Sequence, residues 1–192
     1  MMGLLDLISG GKALRKPKSI RHGGKRVSEV LDAHEKFHRG QPGGLRGDLS
    51  GADLSHADLR GRDLTACLMT RCNLRGADIR GAKLGNADLS QSDLRAADLR
   101  NCDLTETNLA GANLSEADLS GTELFRGDLT SAILHRTILR GTVLRQALLR
   151  GADFSGSDLT LSSFREVDLT DVKLDGADLS NAVVRDNRKS DS

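Results

Sequence analysis

A large apolar residue recurs at every fifth position from Leu49 to Val184, without a gap. Of these 28 positions, 23 are Leu, and the others are Met69, Ile79, Phe154, Phe164 and Val184. The residue two places before each is small, most often Ala, and the residue immediately before it is Asp at 15 positions and Asn at 3. A five-residue repeat therefore governs residues 47–186.

This period excludes an ordinary helix or strand as the main element. A helix would turn residues five apart by about 140° around its axis, and a strand would place them on opposite faces. A chain that turns a corner every five residues satisfies the pattern, with the large and small residues inward and the other three outward. Four such sides close a coil of twenty residues, so the 28 repeats predict about seven coils.

The residues A-D-L-S-G-A-D-L and their variants resemble the pentapeptide-repeat family over residues 47–186. This resemblance implies an all-β fold, a right-handed quadrilateral β-helix. A narrow shaft that accepts one Leu and one Ala on each side agrees with a composition of 4 Phe and no Trp or Tyr. So few aromatic side chains also exclude a stacking platform for single-stranded nucleic acid.

The segments outside the repeats are interpreted from composition. Residues 1–26 are predicted to be a basic, disordered arm, because the stretch from Lys12 to Arg26 holds seven Lys or Arg and no acid. Residues 27–46 are predicted to be a capping helix and turn, and residues 187–192 a polar tail. Two alternatives stay open for the arm: a membrane-surface anchor formed with the apolar residues within residues 3–26, or binding of the basic stretch to a nucleic-acid backbone.

The capping helix is predicted from Ser28 to Arg39, with Ser28 as N-cap and Gly40 as its stop. Its apolar face is expected to comprise Val30, Leu31, His34 and Phe37. His34 is interpreted as part of this face and not as a metal ligand, since no second ligand has suitable spacing.

Charge is divided between the two parts of the chain. The net charge is +6 over residues 1–46 and −5 over residues 47–192, and the four sides of residues 47–186 carry −3, −1, −2 and 0. Duplex DNA carries one charge per roughly 1.7 Å of its axis. Mimicry of DNA, and direct nucleic-acid binding by the rod, are therefore disfavoured.

On four successive sides, the position that usually holds Asp is occupied by an apolar residue. These residues, which we call the belt, are Ile133, Ile138, Val143 and Leu148. Four arginines accompany them between Asp128 and Asp153, where there is no acid: Arg136, Arg140, Arg145 and Arg150. Exposed apolar surface rimmed by Arg is typical of a protein interface, whereas drift of the repeat is the alternative interpretation.

The C-terminal end of the repeats has no comparable cap in the sequence. An open coil end is prone to stack on another chain. We therefore expect a two-fold homodimer through the last coil. Its contact residues would be Leu169, Leu174, Leu179, Val183 and Val184.

Catalysis and cofactor binding find little support in the sequence. Cys67, Cys72 and Cys102 all occupy the small inward position and are interpreted as buried apolar groups. The carboxylates recur in exposed rows, so neither a catalytic nor a metal site is assigned and no cofactor is expected. Three cysteines without a secretion signal favour a reducing cytoplasm.

Three functions stay open on the sequence alone. The first is a non-enzymatic scaffold that presents a rigid rod to an unknown protein partner. The second follows from the family resemblance: some pentapeptide-repeat proteins act as DNA mimics on type II topoisomerases such as gyrase and protect against quinolones or toxins. The third is a membrane-surface adaptor anchored by residues 3–26.

Overall fold

The structure is a computed structural model that describes residues 13–185. Parallel β-bridges join residues twenty apart along the repeats, for example Asp58 to Asp78 and Asp78 to Asp98. The chain thus returns to the same side every twenty residues. We call the sides first, second, third and fourth after their first inward residues, Leu49, Leu54, Leu59 and Leu64.

Each corner is a tight turn with one left-handed residue. The carbonyl of the inward residue accepts a hydrogen bond from the amide three residues on, as Leu49 does from Ala52 at 2.9 Å. The second corner residue has positive φ, 71° at Gly51 and 61° at Leu161. This is a type II turn, in which Gly and Asn carry the least strain.

The shaft is filled by the inward residues. Leu54, Leu114 and Leu144 are completely buried, as are many of the small residues beside them. Where the small residue is Ser or Thr, its hydroxyl donates to a backbone carbonyl, either of the preceding coil, as Thr107 Oγ1 does to Leu84 O at 2.7 Å, or three residues before, as Thr122 Oγ1 does to Leu119 O at 2.8 Å. Polar groups are thus tolerated inside the shaft because each is paired.

The Asp before each inward residue shapes the turn that follows. Oδ1 of Asp48 accepts from the Ser50 amide at 3.0 Å, and Oδ1 of Asp128 accepts from the Thr130 amide at 2.8 Å. Asn108 makes the same bond to the Ala110 amide. This Asx turn accounts for the recurrence of Asp and Asn at one position.

Ordered structure also precedes the repeats. A 3₁₀ helix spans Pro17–Ser19, strands β1 (Arg21–His22) and β2 (Lys25–Arg26) form an antiparallel hairpin, and helix α1 spans Val27–His38.

The predicted disordered arm is therefore wrong for residues 13–26. The Arg15 amide donates to His56 O at 2.7 Å, and Pro17 and Ile20 are buried. Burial against the first coil supplies the stability that the composition of this segment does not predict. The rest of the arm, residues 1–12, lies outside the described residues.

Helix α1 differs from its prediction at the start and on one face. Arg26, not Ser28, is the N-cap, and its amide donates to the Glu29 carboxylate at 3.1 Å. The buried face consists of Val27, Leu31 and His34, whereas Phe37 is 46% exposed. The stop is as predicted: Gly40 has φ 62°, and its amide donates to the carbonyl of Phe37.

The C-terminal end is less tightly packed than the middle. Strands β3 (Ser163–Arg165) and β4 (Val183–Arg185) pair in parallel. Leu169, Leu174 and Leu179 are half-buried, although their counterparts in earlier coils are fully enclosed. No helix within residues 13–185 is long and apolar enough to cross a membrane.

Candidate interaction surface

The belt residues are the outward apolar side chains that interrupt the rows of Asp. They are 38% exposed at Ile133, 41% at Ile138, 37% at Val143 and 58% at Leu148. Since none has a side-chain oxygen, the Asx turn of the neighbouring repeats cannot form at these four places. The belt therefore exposes apolar surface and also gives up four local hydrogen bonds.

The structure distributes the belt over all four sides of the rod. Ile133 lies on the second side between Asn113 and Asp153, and Leu148 continues the first side from Asp128. A flat partner could contact only one side, or the two that meet at a corner. The belt is thus a ring around the rod and not a single patch.

Three of the four accompanying arginines are paired with acids. Arg136 contacts Glu116 at 3.2 Å, Arg140 contacts Asp158 at 2.6 Å, and Arg145 contacts Glu166 at 3.2 Å. Arg150 makes no salt bridge to any of residues 13–185. Leu148, the most exposed belt residue, and the neighbouring Arg150 therefore form the part of this surface that is most accessible to a partner.

The third side carries an internal ion-pair ladder. Arg60, Arg80 and Arg100 each bridge the Asp of their own coil and that of the next. Arg80, for example, lies 2.6 Å from Asp78 and 3.4 Å from Asp98. Arg60 and Lys16 extend the ladder at its N-terminal end, and Arg60 holds the pKa of the Asp58 carboxyl well below its usual range. Because these charges neutralise one another, the third side presents little net electrostatic potential to a partner.

At the C-terminal end, the residues predicted for dimerisation retain accessible surface. Val184 is 51% exposed, although the equivalent Leu124 and Leu144 are completely buried, and Val183 is half-buried. The half-buried Leu169, Leu174 and Leu179 belong to the same end. Apolar surface therefore remains at this end within the described part of the chain.

The three cysteines lie in the shaft, as the repeat position predicts. All are buried, and Sγ of Cys72 donates to Leu49 O at 2.8 Å. Burial raises the thiol pKa to about 12 for Cys67, about 11 for Cys72 and about 12 for Cys102. Thiols that stay protonated at neutral pH are poor nucleophiles.

His34, on the buried face of helix α1, is completely buried. Its Nδ1 accepts from the Gly47 amide at 3.0 Å, so the proton of the neutral ring is on Nε2, 3.2 Å from His38 Nε2. Desolvation, followed by the neighbouring His38, lowers the pKa of His34. The ring therefore joins α1 to the first repeat, and within residues 13–185 no group of three or more His, Cys, Asp or Glu could hold a metal ion.

Phe125 is a surface feature that the sequence analysis did not single out. It is an outward residue of the fourth side, and the guanidinium carbons of Arg126 and Arg145 lie 4.9 and 5.7 Å from its ring centroid. Its position in the repeat could have revealed it: Phe154 and Phe164 are inward residues, whereas Phe125 comes one residue after an inward residue and therefore points outward.

Known families and structures are similar to the repeat region. The profile described as "Pentapeptide repeats" matches in eight copies, over residues 48–86, 82–121, 102–146, 128–165 and 147–186. No curated protein matches the chain.

Two solved structures illustrate the similarity. QnrB1, described as a plasmid-mediated fluoroquinolone resistance protein, is 25% identical over 71% of this chain and 72% of its own, with a TM-score of 0.66. HetL, described as a pentapeptide repeat protein involved in heterocyst differentiation regulation in the cyanobacterium Nostoc, is 28% identical over 71% of this chain and 82% of its own, with a TM-score of 0.39.

Proposed function

The chain belongs to the pentapeptide-repeat family, whose right-handed quadrilateral β-helix it shares, and from that premise we propose that it is a non-enzymatic scaffold that binds a protein partner at the belt. The observation that carries this proposal is the exposure of four successive apolar residues at a position where 18 of the 28 repeats have Asp or Asn. A partner would bury this surface, with Arg150 available for one of its acids.

Stability alone does not account for the belt. Each lost Asx hydrogen bond costs about 0.5–1.5 kcal/mol, and the exposed apolar carbon gains only part of the burial free energy that a core residue gains. Residues that break a local rule without a clear gain in stability are typical of functional surfaces. Four in succession favour selection for binding over drift of the repeat.

The proposal also includes a cover for each end of the repeats. The described repeats make up about seven coils, and residues 13–46 cover their N-terminal end through Ile20, Val27 and Leu31. At the opposite end, the exposed Val184 and the half-buried leucines would be covered by the last coil of a second copy.

A pull-down compares wild type with Ile133→Asp plus Ile138→Asp, and with Leu148→Asp. Leu161→Asp is the matched control, because Leu161 is 62% exposed but lies outside the belt. We expect partners to be lost from the belt variants and retained by the control. An unchanged set of partners for all variants would refute the belt as the binding surface.

A topoisomerase modulator is a second candidate, favoured by the similarity to QnrB1. The paired charges of the third side count against it, because a mimic of DNA needs unneutralised acid along the rod. A supercoiling assay with purified gyrase, with and without a quinolone, separates this candidate from the scaffold. No effect at micromolar protein would refute it.

A further inference from the structure

The fourth side differs from the other three because its charges separate by sign along the rod. Towards the N-terminal end its outward acids are Asp63, Asp103, Glu106 and Glu123. Towards the C-terminal end its outward bases are Arg126, Arg145, Arg165 and Arg185. The exceptions are Lys83 and the half-buried Arg62 in the N-terminal half and Glu166 in the C-terminal half.

Several of these charges have no partner on their own rod. Asp103 and Glu123 in the acidic half, and Arg165 and Arg185 in the basic half, make no salt bridge to any of residues 13–185. The third side contrasts with this, since Arg80 there contacts two carboxylates. Other charges of this side are paired on their own rod, since Glu106 contacts Arg126 at 3.6 Å and Arg145 contacts Glu166 at 3.2 Å. The fourth side thus keeps some unpaired acid towards one end and some unpaired base towards the other, among the described residues.

An aromatic side chain marks the midpoint between the two groups. Leu124 lies halfway along the sequence between Leu64 and Val184, the first and last inward residues of this side, and Phe125 follows it. The ring is half-buried beside Arg126 and Arg145. Aromatic residues and Arg near the centre of a surface are typical binding hot spots.

We propose that the fourth side binds the fourth side of a second copy, antiparallel, about a two-fold axis at Phe125. A two-fold contact is self-complementary, and this arrangement brings the basic half of each copy onto the acidic half of the other. Phe125 of one copy then meets Phe125 of its partner, with Arg126 beside the rings.

The register that follows places long side chains opposite short ones. The two-fold axis at Phe125 pairs residues at the same place in the repeat on coils equally distant from the axis, so Arg145 faces Thr105 and Arg165 faces Gly85. Arg145 is then within reach of the second copy's Asp103 and Glu106. Away from the axis every contact occurs twice, whereas on the axis Glu123, Phe125 and Arg126 each face the same residue of the second copy.

The size of this surface predicts a weak dimer. Six coil spacings of about 4.8 Å give a length of about 30 Å, and five residues at about 3.3 Å give a width of about 16 Å. Each copy would bury about 500 Å², which is about 1,000 Å² in total and close to the lower limit for specific interfaces. We therefore expect association that depends on protein concentration and weakens as salt is raised.

Two charge-reversed variants test the proposal. The first is Arg145→Glu with Arg165→Glu, which changes the net charge of the side from 0 to −4. The second is Asp103→Lys with Glu106→Lys, which changes it from 0 to +4. Sedimentation velocity over a range of micromolar concentrations compares each variant, their equimolar mixture and wild type, and far-UV circular dichroism checks that each is folded.

Each variant alone should have a lower mass than wild type, and mixing the two should restore the wild-type mass, because only the mixed pair is complementary. Phe125→Ala should weaken wild-type association about tenfold. Variants that keep the wild-type mass, or a mixture that does not regain it, would overturn the proposal. A dimer formed through the C-terminal end would not depend on mixing the two variants in this way. The pull-down with the belt variants tests the proposed function separately from this dimer.

Discussion

Replacing Ile138 by Asp should repair the interrupted third side. Ile138 is 41% exposed and forms bridges to Asp118 and Asp158. Forty residues earlier, Asp98 accepts from the Arg100 amide at 3.3 Å and from Nε of Arg100 at 2.8 Å. An Asp at position 138 has Arg140 in the equivalent place and can make the same bonds.

The magnitude is clearest against Ile138→Ala, which loses the same apolar carbon without adding an acceptor. The Asx hydrogen bond contributes about 0.5–1.5 kcal/mol, and an exposed ion pair about 0.2–1 kcal/mol. Ile138→Asp should therefore be about 1–2 kcal/mol more stable than Ile138→Ala. Partial burial of Ile138 contributes about 1–2 kcal/mol, so the Asp variant should remain close to wild type.

Urea unfolding followed by far-UV circular dichroism measures the difference, since the chain has no Trp or Tyr for fluorescence. Ile138→Asn retains the Asx bond without the charge and should lie between the other two. If Ile138→Asp unfolds at the same urea concentration as Ile138→Ala, or at a lower one, the assigned role of the recurring Asp is wrong.

Three further predictions concern pH, the shaft and the thiols. Because Arg60 lowers the folded-state pKa of Asp58, this carboxylate stabilises the protein above about pH 4. That contribution is lost as the pH falls through the lower folded value, so the urea midpoint should drop between pH 6 and pH 3; an unchanged midpoint would contradict this. Leu114→Ala should cost about 2–5 kcal/mol and the exposed Leu148→Ala less than about 1 kcal/mol, as measured by urea unfolding; equal losses would argue against a closed shaft. Labelling of the thiols of Cys67, Cys72 and Cys102 at pH 8 should be slow in the folded protein and rapid in urea. Fast labelling of the folded protein would show that these cysteines are accessible and would contradict their burial.

The repeat was predictable because its constraint is local and is repeated 28 times. A large residue every fifth position, with a small one two places before it, leaves inward and outward assignments little freedom. The burial of Leu54 and Cys72 and the turn role of Asp48 follow from position in the repeat alone. The outward direction of the belt follows for the same reason.

The N-terminal segment was predicted less well because its order comes from contacts far along the chain. Pro17 and Ile20 have no periodic pattern around them, and they are buried because the first coil offers an apolar end. Likewise, the choice of Val27 over Phe37 for the buried face of α1 depends on the angle at which the helix crosses that end.

The sequence by itself determined the shaft, the direction of each side chain and the composition that a five-residue repeat requires, because these depend on neighbours only a few residues away. Only the tertiary structure decided which charges neutralise one another from coil to coil, since Asp98 beside Arg80 and Asp158 beside Arg140 lie about one coil distant. It likewise showed that Asp103 and Arg165 on the fourth side have no salt bridge among the described residues. Salt bridges depend on side-chain reach across coils, which a linear repeat does not specify.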